Sequence, residues 1–449
     1  MSFAERVRAR ARSRPGAAVP GGRRGEREGL LQLGADGCPA CNLAAESADR
    51  WIGYFIAEGN AEEEVARAVR ASLGPCPRHT RRLVAARGGA EVFARSAVDV
   101  AREALRRVGA DEIRAPCPAC AREAWAEGHA IAAALGALAR PGADALRAGL
   151  ERRFCLPHLL AALSGERDRD RAMRLAEEGG AALRASEGED LVLRICGADA
   201  DATVRADLLR TAALPERGPR LRAWMLSLLS LDACPSCLAE REAVRGALEW
   251  LATSSQLEPW EMRLCPGHLG TLHALDALTA RRVAATLAAE WSAALERYAA
   301  GWGRPPRRGP LGRLRARRAG RSALRNLLGN RACRACDVAR TAAARAGALL
   351  QAAVRDPELS GAYGRSHGLC MRHLSMLPVS ARRALPEEIL RARLALLGWE
   401  LEEAERKRSW FARWEPAGPE ATAWRRLPGL LGGADAGIAA SPQRAVGPP

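Results

Sequence analysis

The sequence predicts an all-α protein made of four metal-clipped helical-hairpin modules, joined by helices and flexible linkers. Three observations support this prediction. Paired cysteine and histidine motifs recur four times along the 449 residues. Apolar residues follow each motif at helical spacing. No βαβ pattern surrounds any copy, so a thioredoxin-like redox domain is not indicated.

The cysteines follow one repeated pattern, in which a CxxC pair precedes a CxxH pair. Twelve of the 13 cysteines belong to it, and the two pairs of each repeat are separated by 34, 34, 27 and 33 residues. The motif residues are Cys38, Cys41, Cys76 and His79; Cys117, Cys120, Cys155 and His158; Cys234, Cys237, Cys265 and His268; and Cys333, Cys336, Cys370 and His373. Four copies in the same order are not a chance scatter.

Three thiolates and one imidazole are the donors of a structural, tetrahedral zinc site. Three of the CxxC pairs have proline at the second position, which suits the first turn of a helix. A helix N-terminus also favours the thiolate that binds a metal. We therefore expect about four zinc ions per chain, each bound by one CxxC pair and the CxxH pair that follows it.

The residues after each CxxC pair predict a helix of about 18 residues. Positions 10, 13 and 14 after the second cysteine form an apolar face in all four copies. These positions are Trp51, Tyr54 and Phe55; Ala130, Ala133 and Ala134; Ala247, Trp250 and Leu251; and Ala346, Leu349 and Leu350. A second helix is expected to start at each CxxH pair. A shorter return helix, such as 61–73 or 144–154, would bring CxxH back to CxxC and close a hairpin that is marginal without its metal.

The first repeat resembles a family of uncharacterised bacterial Cys-rich helical proteins with CPxC…CxxH modules. The residues that carry the resemblance are Cys38-Pro-Ala-Cys41 with its Tyr54–Phe55 helix, and Leu-Gly-Pro-Cys76-Pro-Arg-His79. The likeness extends over about 30–90, 110–165, 228–275 and 328–380. The fourth repeat departs from it at Arg334, and the third has a shorter return. Because the family is a domain of unknown function, the resemblance implies a metal-binding helical fold and no activity.

Iron–sulfur clusters are the main alternative to zinc, because they also use thiolate ligands. If the sites bind iron–sulfur clusters, the protein would be an electron carrier or redox sensor rather than a zinc-stabilised scaffold. Covalent haem is excluded because no CxxC is followed by histidine. Catalytic zinc would keep an open position, whereas each site here has four candidate ligands. The chain also has no phosphate-binding loop, serine-nucleophile elbow or HExxH, so an enzyme is not indicated.

The cysteine and histidines outside the repeated pattern are not expected to bind metal. Cys196 is interpreted as a small buried apolar residue. His129, His273 and His367 have no equivalent in the other repeats.

The formal net charge of +17 is concentrated in two segments rich in Arg, Gly and Pro. Residues 1–28 contribute +5 and residues 301–322 contribute +8, so the remainder carries +4, and four Cys₃His zinc sites with a charge of −1 each would bring it near zero. Such arms bind polyanions without sequence readout, and a solubilising arm or linker is the competing interpretation. The candidate polyanion-binding residues of the second segment are Arg304, Arg307, Arg308, Arg313, Arg315, Arg317, Arg318 and Arg321.

The domain organisation follows from the repeats and the composition. We expect a disordered basic arm at 1–29, module 1 at 30–110, module 2 at 111–165, a mostly helical insertion at 166–230, module 3 at 231–300, a linker at 301–322, module 4 at 323–414 and a disordered tail at 415–449. A short strand at Asp190–Cys196 and an apolar helix at 217–231 are expected within the insertion. With no apolar run long enough for a membrane span and no signal peptide, we expect a cytoplasmic bacterial protein that binds a protein partner.

Overall fold

The computed structural model describes residues 37–110, 115–139, 153–166, 168–197, 202–211, 221–254, 257–258, 261–302, 320, 322–327, 333–353, 355–378 and 385–432. Within these ranges the chain is helical and contains no strand, which confirms the all-α prediction. The expected arm at 1–29 and the eight arginines of the 301–322 linker lie outside the described residues.

The helices of the first half are numbered in chain order. They are α1 (Pro39–Ala57), α2 (Glu63–Ala71), α3 (Pro77–Ala85), α4 (Gly89–Arg107), α5 (Pro118–Leu138), α6 (Leu156–Gly165), α7 (Arg169–Ala185), α8 (Gly188–Cys196) and α9 (Ala202–Thr211). A 3₁₀ turn, Gly59–Ala61, connects α1 to α2.

The second half also combines long and short helices. It contains α10 (Leu221–Leu229), α11 (Pro235–Thr253), α12 (Pro266–Leu275), α13 (Ala277–Ala300), α14 (Arg334–Ala353), α15 (Pro357–Arg365), α16 (Met371–Ser375), α17 (Leu385–Arg408) and α18 (Ala423–Gly432). A second 3₁₀ turn, Pro419–Thr422, precedes α18.

The chain forms two compact units that do not follow the order of the sequence. Unit 1 comprises Met1–Asp49, Arg122–Arg210 and Val244–Val338, and unit 2 comprises the three intervening and following segments. The chain passes from one unit to the other five times, once at the end of α9 and four times within the helices that carry the CxxC pairs, α1, α5, α11 and α14.

In unit 1 the central pairing is α7 against α13. Small alanines on both helices are buried, including Ala172 and Ala176 on α7 and Ala280 and Ala284 on α13. Helix α13 also contacts α8 and α12. Asp276 caps its N-terminus by accepting hydrogen bonds from the backbone N–H groups of Leu278 and Thr279.

In unit 2 the most extensive helix packing is between α4 and α17, and α18 packs against both helices. The buried core includes Phe93 of α4, Leu394 of α17 and Leu427 of α18. Phe93 meets Trp424 edge to face, with 6.1 Å between ring centroids. These contacts place α18 in the core.

The helices after the CxxC pairs have the predicted length, at 19, 21, 19 and 20 residues. The predicted second helix also begins at every CxxH pair, at Pro77, Leu156, Pro266 and Met371. The apolar helix expected at 217–231 is present at Leu221–Leu229. The hydrophobic periodicity was therefore sufficient to place these elements.

Two local predictions are wrong. The expected strand at Asp190–Cys196 is part of α8, because Leu191, Val192 and Ile195 form one buried helical face. The expected tail at 415–449 is folded at least to Gly432, because α18 buries Trp424 and Leu427 despite its neighbouring glycines and prolines. Among the residues described, we find no helix with the length and apolar content needed to cross a membrane.

Candidate metal centres

The structure gathers all sixteen motif residues into four groups of three cysteines and one histidine. Within each group the ligand atoms lie within 4.8 Å of one another, and each group could hold a metal ion. Site 1 is Cys38, Cys41, Cys155 and His158; site 2 is Cys76, His79, Cys117 and Cys120; site 3 is Cys234, Cys237, Cys370 and His373; and site 4 is Cys265, His268, Cys333 and Cys336.

The predicted pairing of each CxxC with the CxxH that follows it is wrong. In each half of the chain, the first CxxC joins the second CxxH, and the first CxxH joins the second CxxC. We call sites 1 and 3 the outer sites and sites 2 and 4 the inner sites, since the pairs of each inner site lie between those of the outer site in sequence. Cys120 and His158, expected to share one ion, belong to different sites.

Helix lengths explain why the pairs cross over. Helix α1 has 19 residues, so at 1.5 Å per residue it carries the chain about 28 Å away from Cys41. The return helix α2 has nine residues and covers only about 14 Å. The first CxxH pair therefore ends far short of the first CxxC pair. It meets the second CxxC pair at the start of α5 instead.

Every ligand pair lies at the N-terminus of a helix. Cys76, Cys155, Cys265 and Cys370 are the N-cap residues of α3, α6, α12 and α16, and none of their thiols caps the helix. The CxxC pairs lie at the starts of α1, α5, α11 and α14. Two helix N-termini consequently meet at each site. Their partial positive charge stabilises the net negative charge of three thiolates around a divalent ion.

The distances within the sites are uniform. One pair of thiols in each site has an Sγ–Sγ distance of 3.5–3.8 Å. Each histidine presents Nδ1 to the sulfurs, at 3.1–3.5 Å. All the cysteines are free of disulfide bonds. In each site, therefore, four donor atoms surround a common centre.

The close contact of the thiols changes how they ionise. Hydrogen bonds from Cys120 and Cys76 lower the pKa of Cys117 to about 3. The hydrogen bonds with Cys117 raise the pKa of Cys120. Burial opposes protonation of His373, but hydrogen bonds with neighbouring cysteines outweigh burial and raise its pKa to about 11. In site 2 these contacts thus favour the thiolate form of one cysteine. A cation at the centre would favour the thiolate form of all three cysteines.

In the outer sites a carboxylate lies behind the histidine. Nε2 of His158 is 3.4 Å from Oε1 of Glu127, and Nε2 of His373 is 3.3 Å from Oε1 of Glu240. Both contacts are ion-pair distances rather than well-aligned hydrogen bonds. Such outer carboxylates orient a metal-binding imidazole and raise its basicity. Arg372 also contacts Glu240, with Nη2 2.9 Å from Oε1.

Sequence reasoning did not find these two glutamates. Glu127 lies seven residues after Cys120, whereas Glu240 lies three residues after Cys237, so the two glutamates do not share one position relative to the CxxC pair. Glu127 lies on α5, the helix of the second CxxC pair, and Glu240 lies on α11, the helix of the third CxxC pair. Tertiary structure brings each of them to the histidine of a CxxH pair.

Site 1 is closed on one side by backbone. Gly197 follows α8 with φ +73° and ψ 179°, a conformation that essentially only glycine adopts. A Cβ atom placed on Gly197 would lie 3.1 Å from Sγ of Cys41 and 3.2 Å from Sγ of Cys155. The absence of a side chain is therefore required by the sulfurs as well as by the backbone.

The residues predicted not to bind metal lie outside the four groups. His129 stacks on Trp125 with 5.3 Å between ring centroids, and His367 has Nδ1 3.2 Å from the Gly368 carbonyl oxygen. Nε2 of His273 lies 3.8 Å from Oε1 of Glu189. Cys196 is partly rather than fully buried, because it is the last residue of α8.

Comparison with known proteins gives no match. No family model, no curated protein and no solved structure is detectably similar to this chain.

Proposed function

We propose that this protein is a zinc-stabilised helical scaffold in which four non-catalytic sites fix the fold and an exposed surface binds a partner. The observation that carries the proposal is the set of four compact Cys₃His sites. A tetrahedral zinc ion with the usual bond lengths requires Sγ–Sγ distances of about 3.8 Å and Sγ–N distances of about 3.6 Å. The distances here, 3.5–3.8 Å and 3.1–3.5 Å, support one ion at each centre.

The same compactness supports zinc over an iron–sulfur cluster. A cluster binds its thiolates through different iron atoms, and a core of iron and sulfide then separates the ligands. Four donors within 4.8 Å of one another leave room for a single ion. Three thiolates and an imidazole complete a tetrahedron, so no coordination position is left for a substrate. A structural role follows from this ligand count.

Zinc at these centres would link segments that are distant in sequence. Site 1 joins residues up to 120 positions apart, and site 3 joins residues up to 139 apart. Sites 2 and 4 join residues up to 44 and 71 apart. In the chain-entropy model of cross-links, loops of these lengths correspond to on the order of 4–5 kcal/mol each. The four ions would thus determine whether the two units fold.

An exposed aromatic surface near the end of α17 supports the binding role. It consists of Trp410, Phe411 and Trp414, which are 66%, 93% and 78% exposed, together with Arg413. The Arg413 guanidinium lies 3.3 Å from the Trp410 ring centroid and 4.4 Å from that of Trp414. Tryptophan and arginine dominate the energetics of protein interfaces.

Charge and area favour a second copy of this chain as the occupant of the aromatic surface. Residues 402–415 hold four acidic and four basic side chains, so two copies can approach there despite the net charge of +17. Arg406 and Arg408 have carboxylate partners. Arg413 has none among the residues described and could pair with one from the other copy. The three aromatic side chains expose roughly 350–600 Å², a large part of the 800 Å² or so per partner of a standard interface.

Elemental analysis of the purified full chain tests the metal assignment. We expect about four zinc ions per chain and no visible absorption. A brown protein with iron and acid-labile sulfide would contradict the zinc proposal. Cobalt substitution provides an independent check, because tetrahedral thiolate-bound cobalt is coloured in proportion to the number of sites.

Sedimentation equilibrium tests the aromatic surface. We expect the full chain to dimerise reversibly and the variant Phe411→Ser with Trp414→Ser to remain monomeric with unchanged zinc content. The matched control is Met376→Ser, which removes another half-exposed apolar side chain of unit 2. A monomeric wild-type protein, or dimerisation that survives the double substitution, would contradict the assignment of a second copy.

A further inference from the structure

We propose that unit 2 contains a binding site for a small neutral aromatic molecule, in a cavity whose wall includes two sulfurs of site 2. The cavity has a volume of about 220 Å³. An apolar cavity of about 150 Å³ is already large enough to bind benzene, so this one fits an aromatic molecule of one or two rings. The inference rests on the proposed function in one respect, since zinc at site 2 would keep Cys76 and Cys117 as thiolates.

Most of the cavity wall is apolar. Its apolar side chains are Leu73 of the turn between α2 and α3, Phe93 and Val100 of α4, and Pro428 and Leu431 of α18. The hydroxyl groups of Ser72 and Thr80 also line the cavity, but each donates its hydrogen to backbone carbonyls at 3.0 Å. A water molecule held in a cavity needs two to four polar partners. An apolar ligand is therefore favoured over water.

The sulfur side of the wall favours an aromatic ligand over a saturated one. Cys76 and Cys117 line the cavity, and with zinc at site 2 both sulfurs would carry negative charge. The edge of an aromatic ring is positive and its face is negative. Ring C–H groups that point at the sulfurs are therefore attracted, whereas a saturated ring has no such positive edge. Phe93 lines the same cavity and provides a second aromatic contact for the ligand.

The turn between α2 and α3 has a strained backbone where it forms part of the wall. Leu73 has φ +52°, and among the residues described it is the one non-glycine residue with a positive φ. Its side chain is 1% exposed. Bulky residues rarely adopt this conformation, and such strain is typical of segments that hold a ligand. The turn thus places the Leu73 side chain in the cavity wall despite the strain.

The cavity is accessible next to site 2. Three of its lining residues, Cys76, Pro77 and Ala115, are partly exposed. They lie at the start of α3 and in the segment before α5. A ligand can therefore enter between these two segments without unfolding of the core around α4 and α17.

Unit 1 has the same arrangement of helices but much less space. In unit 2 helices α3, α4 and α18 pack on one another, and in unit 1 helices α12, α13 and α8 do so. The cavity beside Cys265 in unit 1 has a volume of about 30 Å³. Its wall contains Trp291 and an ion pair in which Nη2 of Arg263 lies 2.9 Å from Oε1 of Glu290. The fold therefore does not require a large cavity beside a CxxH pair, and the space in unit 2 is a property of its own side chains.

Fluorine NMR of fluorobenzene mixed with the zinc-loaded full chain tests this inference, with the zinc content measured in the same samples. We expect saturable binding of one fluorobenzene per chain, with a dissociation constant on the order of 1 mM. Fluorocyclohexane has a similar size and no positive ring edge, so it should bind about three- to ten-fold more weakly.

Two substitutions that fill the cavity locate the site. Val100→Phe should abolish fluorobenzene binding at unchanged helicity and zinc content, and Leu431→Phe should do the same from α18 if the first variant does not fold. The matched control is Val98→Phe, which introduces the same side chain on α4 at a partly buried position outside the cavity wall. We expect this control to bind fluorobenzene as the wild type does.

Three results would overturn the inference and leave the zinc proposal intact. They are the absence of fluorobenzene binding by a chain with four zinc ions, binding that survives both filling substitutions, and equal or tighter binding of fluorocyclohexane. A chain without stoichiometric zinc would instead refute the proposed function, and with it the thiolate wall on which the aromatic preference depends.

Discussion

Gly197→Ala should damage site 1 without touching a ligand. The new Cβ would lie 3.1 and 3.2 Å from two sulfurs, about half an ångström closer than an ordinary contact. The sulfurs of Cys41 and Cys155 are also in contact with each other and with His158, so they have little freedom to move. Overpacking of this kind costs about 1–3 kcal/mol, and the positive φ of +73° costs about 1–3 kcal/mol more. We expect unit 1 to lose about 2–6 kcal/mol.

Gly188→Ala is the control, at the other end of the same helix. Gly188 has φ +56°, and a Cβ placed there meets nothing within 4 Å. We expect it to cost about 1–2 kcal/mol from backbone strain alone and to retain all four ions. The assay combines zinc content with chemical unfolding of both variants. If Gly197→Ala keeps four ions and is destabilised no more than Gly188→Ala, the proposed contact between backbone and sulfurs is refuted.

Three further predictions concern site 2, the cap of α13 and the Arg-rich segment 301–322. Cys120→Ser should remove the ion of site 2 and lower helicity in circular dichroism, whereas full helicity after loss of that ion would show that the metal is not structural. Asp276→Ala should cost about 1 kcal/mol at pH 7, since it removes the cap of α13. Hydrogen bonds from Thr279 lower the pKa of Asp276, so the cap contributes fully above the ordinary Asp pKa near 3.9, and unfolding curves should converge with the wild type as the pH falls through the lowered value. Replacing the eight arginines of 301–322 with glutamine should weaken binding to a polyanion and flatten its salt dependence by up to about 0.9 per lost phosphate contact; an unchanged slope would identify the segment as a spacer.

The sequence predicted the elements well and the connections poorly. Helix starts at Pro39, Pro118 and Pro235 and the helical lengths follow from local properties, namely proline at the first turn and apolar spacing. Pairing is a property of the whole chain. The nine residues of α2 cannot retrace the 19 residues of α1, and this mismatch is visible in the sequence once both lengths are counted. A local hairpin is the simpler interpretation, but the geometry does not permit it.

Other features have no sequence signal. Glu127 and Glu240 occupy different positions relative to the CxxC pairs and are brought to the histidines by tertiary structure. The helix Ala423–Gly432 is not predicted from the sequence because Gly and Pro dominate its surroundings and its apolar residues extend over only ten positions. Burial against α4 and α17 stabilises it. Composition describes the average of a segment, and tertiary contacts determine whether a part of it folds.

The crossed pairing is the central claim, and zinc counting in two double variants tests it directly. Cys41→Ser with Cys155→Ser disrupts one site in the crossed arrangement, so three ions should remain per chain. Cys41→Ser with Cys76→Ser disrupts two sites, so two ions should remain. Sequential pairing of each CxxC with the following CxxH requires the opposite: two ions in the first variant and three in the second. Those reversed counts would contradict the account.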